Sequence, residues 1–170
     1  MPTPIVLFVR GVDRVNRFVG RFAMAIFFVM AAVMLWSTIS RTVFGVPVNW
    51  ALEMTQFLLS AYYLLGGAYS LQHDAHVRMD LFYSRLPQKG RAILDGFTIL
   101  FVIFFLVVLL WGAVSSTQYA LQYNQKNYSA WSPVLWPVKV AMTVGIFLML
   151  LQLIAQFFRD VAQARGKPIA

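Results

Sequence analysis

Residues 96–125, GFTILFVIFFLVVLLWGAVSSTQYALQYNQ, contain no charged side chain. A helix rises about 1.5 Å per residue, so roughly 20 apolar residues cross the ~30 Å hydrocarbon core of a bilayer. This stretch is long enough to cross with residues to spare. Three further apolar runs flank it. They cover about residues 22–40, between Arg21 and Arg41, then 51–71 and 138–158. The central run starts near Ile93, and its membrane-crossing part is assigned to about 93–114. Beyond Trp111, Gln118, Tyr119, Gln122 and Tyr123 fall on one helical face, so the helix is expected to extend outward to about 123. Ser132-Pro133 and Trp136-Pro137 then fit a turn and a helix start. The fold expected is an all-α integral membrane protein with four transmembrane helices in one domain, residues 1–170.

Composition agrees. Hydrophobic residues make up 60% of the 170 and charged residues 12%, about half the charge of an ordinary soluble domain. Such a chain cannot cover a water-facing surface, whereas a lipid-facing one suits it. The net charge of +8 does not point to nucleic acid, because the basic residues sit in short clusters between the apolar runs. Eleven of the 14 basic residues fall before the first run, between the second and third, or after the fourth. Arg41, Lys126 and Lys139 fall on the other side. By the excess of Lys and Arg in cytoplasmic segments, both termini and the middle connection are expected in the cytoplasm. The first run is too long for the apolar part of a cleaved signal peptide and reads as an uncleaved anchor. Trp36, Trp50, Trp111, Trp131 and Trp136 gather at the opposite, outer side, where amphipathic rings favour the headgroup layer.

Few residues suggest chemistry. Glu53, three residues after Trp50, is placed in the first turn of the second helix, where the helix dipole favours a carboxylate. Its readings are an interfacial cap, an ion or proton site, or an ion pair with Arg41. His73, His76 and Asp80 share one face if that helix continues inward, but three ligands from one helix without cysteine make a poor metal site. A solvated helix end containing His76, Arg78 and Asp80 is the preferred reading, and no cofactor is expected. Gly66, Gly67 and Ser70 permit close helix approach. Tyr62 and Tyr63 require protein partners at that depth. Gln152 and Gln156 could bond across a helix interface. Cysteine is absent. No phosphate-binding loop, paired carboxylates or nucleophile–base arrangement is evident, so no enzyme activity is expected. No ionisable residue falls mid-bilayer in the first, third or fourth helix, where a self-sufficient ion-coupled transporter needs one.

In the segment from Asn49 to Arg91, Trp50 and Glu53 are followed by Leu65-Gly66-Gly67-Ala68-Tyr69, then by His76-Val77-Arg78-Met79-Asp80 and Leu86-Pro87. With Trp136-Pro137-Val138-Lys139, Gly145 and Leu151-Gln152, this order resembles the small, DctQ-like membrane subunit of tripartite ATP-independent periplasmic (TRAP) transporters. The fourth-helix motif looks like the branch labelled mannitol/chloroaromatic. The resemblance spans nearly all of the chain except the first 20 residues. It implies a bacterial inner-membrane subunit paired with a large sodium-coupled permease and a periplasmic substrate-binding protein, for uptake of a solute, organic acids being the expected class. It also implies structural or interfacial roles for Glu53 and for the segment His76 to Asp80, with Arg78. Arg41, Trp50, Gly66 and Gly67 are further structural or interface candidates, and the small and tyrosine faces of the first two helices are expected against the partner. The competing readings are a self-assembling exporter of the small multidrug type, for which Glu53 lies too shallow, and a respiratory membrane anchor, for which haem would need histidines on different helices.

Overall fold

The computed structural model describes residues 3–72 and 88–164. Four α-helices occur among them: α1 Thr3–Val43, α2 Asn49–Gln72, α3 Gln88–Gln122 and α4 Trp136–Ala164. Three contain stretches long and apolar enough to cross a membrane: Ile5–Val43, Thr98–Gln122 and Trp136–Arg159. α2 falls short of that apolarity because Glu53, Thr55, Gln56 and Ser60 interrupt its first half. Its polar groups are partly satisfied internally, with the Thr55 hydroxyl donating to the Ala51 carbonyl and Ser60 to Gln56. α2 lies between α1 and α4, so protein rather than lipid covers much of it.

The largest departure from the sequence reading is α1. It does not begin near Phe22 but runs unbroken from Thr3, which makes it about 60 Å long. The four arginines before Phe22 therefore belong to a helix and not to a leading tail. The reason lies in a second periodicity beneath the charges. Val9, Asp13, Asn16, Gly20 and Ala23 recur at alternating steps of four and three and are all buried. That face gives the arm a packing partner.

The register of α1 on α2 is antiparallel. Gly20 meets Tyr69, Ala23 meets Gly66, and the rings of Phe27 and Tyr62 lie 5.7 Å apart. α4 runs parallel to α2, with Gly145 against the backbone of Leu64 and Gly67 against Met149. α3 packs on α4 around Leu106, Ile146, Leu150 and Leu153. The start of α1 and the end of α4 thus share one end of the bundle, here termed the basic end. The α1–α2 and α3–α4 connections share the other, the tryptophan end, where Trp50 and Trp131 are 6.5 Å apart.

Helix termination at the tryptophan end follows local chemistry. α1 stops at Gly45, whose φ of +64° is open to glycine without strain. The amides of Phe44 and Val46 both donate to the Ser40 carbonyl, and the Ser40 hydroxyl donates to the Val46 carbonyl. α3 ends close to the expected residue 123. Asn124 is left-handed at φ 44°, and the Gln125 amide donates back to Ala120, the six-to-one bond that closes a helix C-terminus.

Candidate functional site

Polar side chains meet inside the bundle at its basic end. Asn16 is fully buried on α1 and donates through Nδ2 to Gln152 Oε1 on α4 at 2.5 Å. Gln152, also fully buried, donates through Nε2 to Asp13 Oδ1 at 3.2 Å. The second carboxylate oxygen of Asp13 pairs with the guanidinium of Arg159, which also donates to Gln156. Val9, Val12 and Ala155 pack beside the cluster. α1 supplies an acid and an amide three residues apart, hence on one face, and α4 supplies the matching amide and cation seven residues apart. Asn16 Oδ1 is buried with no partner.

This cluster was only half visible in the sequence. Gln152 was singled out as bonding across a helix interface, and it does so. Arg159 was read as one of the orienting charges, whereas it is the partner of a buried carboxylate. Asp13 and Asn16 were missed. Their signal was available, since they are the polar members of an otherwise small and apolar heptad-like row.

Glu53 sits in the second turn of α2, not the first, because the helix begins at Asn49. It is partly buried, and its Oε2 is enclosed without a hydrogen-bond partner. The suggested ion pair with Arg41 does not form; Arg41 is exposed in the last turn of α1. Gly66 has room, since a Cβ there would lie 3.9 Å from Ala23. At Gly67 it would meet the flexible Met149 sulfur at 2.9 Å. The two tightest approaches are elsewhere, at Gly20 against Tyr69 and at Gly145 against the Leu64 backbone at 2.7 Å. Tyr62 packs on Phe27, while Tyr63 is largely exposed. His73, His76, Arg78 and Asp80 lie outside the described residues. Among the described residues, no three of His, Cys, Asp and Glu gather as metal ligands would.

At the tryptophan end the α3–α4 connection forms a hairpin. Its backbone pairs through Asn127 N–H to Pro133 O and Leu135 N–H to Gln125 O, both 2.9 Å, around a Lys126–Val134 bridge. Lys139 Nζ donates to Gln125 Oε1 at 2.8 Å, and the hydroxyls of Thr117 and Thr143 are 2.9 Å apart. The first bond ties the hairpin to α4, and the second ties α3 to α4 just below it. Tyr119 and Tyr123 stack with centroids 4.6 Å apart, and Tyr128 is fully exposed at the tip.

Polar ties toward both ends enclose a middle built from Leu106, Ile146 and Leu150. Long apolar helices around such a middle define a helical membrane protein. The chain belongs to the family described as tripartite ATP-independent periplasmic transporters, DctQ component, whose family model matches residues 30–163. This is a transporter-component family rather than an enzyme family. Comparison with curated proteins finds no significant match.

Proposed function

We propose that the chain is the small scaffold subunit of a TRAP-type secondary transporter in the bacterial inner membrane. In this reading it pairs with a large sodium-coupled permease and helps a periplasmic binding protein to dock for solute uptake, organic acids being the expected class. All four helices span the membrane, as one domain over residues 1–170, with the basic end in the cytoplasm and the tryptophan end outside. The observation that carries the proposal is the family match over residues 30–163. The apolar middle of the bundle supports it, because a coupling ion needs polar groups at that depth and the described polar cluster lies at one end. The partner surface is assigned to α1 and to the exposed face of α2, where Leu52, Gln56, Leu59 and Tyr63 line up. Arg41, Trp50, Glu53, Gly66, Gly67, His76, Arg78 and Asp80 are assigned structural or interfacial roles and no substrate contact.

Two measurements test this. A mild-detergent pull-down of the tagged chain from its native membrane should bring down a large permease in stoichiometric amount; recovery of the chain alone as a homodimer would reject the pairing. The cysteine-free sequence gives a clean background for labelling. Tyr128→Cys should react with an impermeant maleimide from the periplasmic side, and Arg14→Cys only after the inner membrane is opened. The reverse pattern would overturn the orientation.

A further inference from the structure

Ahead of its most apolar stretch, α1 presents three distinct rows. The first, from Val9 to Ala23, is buried against α2 and α4. The second is basic. Arg10, Arg14, Arg17 and Arg21 recur at steps of four, three and four, so they occupy one row roughly 60° wide, and all four are exposed. The third adjoins it and is apolar, with Leu7, Phe8, Val15, Phe18 and Phe22 all exposed, Phe18 at 74%. The one acid of α1, Asp13, lies on the buried row beside the basic one, three residues from Arg10 and four from Arg17, and is paired with Arg159.

The polar cluster sets the depth of these rows. Asn16 is level with Gln152, about 24 Å along α4 from Trp136. Asp13, which also accepts from Gln152, lies about 4.5 Å further toward the basic end, where the long Arg159 side chain reaches back to it. A hydrocarbon core about 30 Å thick that begins near Trp136 therefore ends close to Asp13. The arm of α1 runs through the level where acyl chains give way to headgroups. Because α1 is unbroken and tied to α4, the arm is held there.

We propose that this arm is a binding site for anionic phospholipid, with headgroup phosphate taken by Arg14 and Arg17, with Arg21, one turn deeper, leaning toward them along the helix, and with acyl chain lying over Phe18 and Phe22. Guanidinium groups match phosphate oxygens in a bidentate fork. Basic residues at a membrane surface each strengthen attachment to anionic lipid about five-fold. The adjoining apolar row decides the ligand class. An acidic protein or a nucleic acid would satisfy the arginines and leave five large apolar side chains in water. A phospholipid covers both rows at once.

The test is native mass spectrometry of the full chain in detergent, titrated with phosphatidylglycerol or with phosphatidylcholine of the same acyl chains. Detergent makes the result independent of insertion orientation. The unaltered chain should retain phosphatidylglycerol at about ten-fold lower concentration than phosphatidylcholine. The R14Q/R17Q/R21Q variant should bring that ratio close to one, while Arg41→Gln, at the far end of the same helix, should leave it unchanged. An unaltered chain that holds both lipids equally overturns the proposal without any variant. So does a triple variant that keeps the preference. Loss of a co-purifying large permease from the triple variant, with the lipid preference intact, would assign the arginines to a protein partner and reject the lipid site.

Discussion

Asn16 and Gln152 are two amides with no access to solvent, and their energetics are asymmetric. A buried hydrogen bond adds little net stability, but a buried group deprived of its partner costs about 1–3 kcal/mol. Gln152 both accepts from Asn16 and donates to Asp13, so its loss strands groups on two residues. Gln152→Leu should lower the stability of the purified chain by about 1–3 kcal/mol, read from thermal unfolding in detergent. The double variant N16L/Q152L removes the stranded amide as well and should recover part of that loss, with Arg159 still compensating Asp13. A double variant no more stable than the single one would show that the amide pair does not act as a unit.

Small residues in the sequence mark where helices can approach closely, but which ones touch depends on register. Gly66 and Gly67 were singled out from their spacing, yet the tighter contacts fall on Gly20 and Gly145 once α1 and α4 are set against α2. Gly145→Ala would drive a methyl group into the Leu64 backbone, which has no rotamer to change, and overpacking of this kind costs about 1–3 kcal/mol. Gly66→Ala meets ordinary contact distance and, with its helix propensity gain, should be neutral or slightly stabilising in the same melts. Equal effects of the two substitutions would reject the register. The same contrast explains what was legible beforehand. The cores of the apolar runs, the outward extension of α3 and the Trp136 start of α4 follow from local chemistry. The arm of α1 did not, because its arginines read as orienting charges while the row beneath them has meaning only against α4. α2 reads as a span on length and sparse charge, but Glu53, Thr55, Gln56 and Ser60 lower its apolarity. Thr55 and Ser60 bond to their own backbone, and Gln56 is exposed.

Across the whole molecule, cover is uneven. The rest of the chain buries almost none of the apolar stretch of α3 and little of α1, but over a third of that of α4. Phe101, Phe104 and Trp111 of α3 and Phe28, Leu35 and Trp36 of α1 stand outward, so much of the molecule's apolar surface is left for lipid or another chain. Its polar interior is concentrated in ties that fix one helix against another. A carrier needs an element that moves and a polar site at bilayer depth that moves with it. Here Asp13 and Arg159, with Asn16 and Gln152, fasten α1 to α4, Thr117 and Thr143 fasten α3 to α4, and the level between Thr143 and Gln152 is filled by Leu106, Ile146 and Leu150. Such a body serves better as a fixed frame than as a moving part. Reconstituted alone in vesicles with an inward sodium gradient, the chain should give no uptake of organic acids above empty vesicles. Uptake should appear when the large permease and the binding protein are added. Sodium-driven accumulation by the chain alone would require a path through that apolar middle and would overturn the scaffold reading.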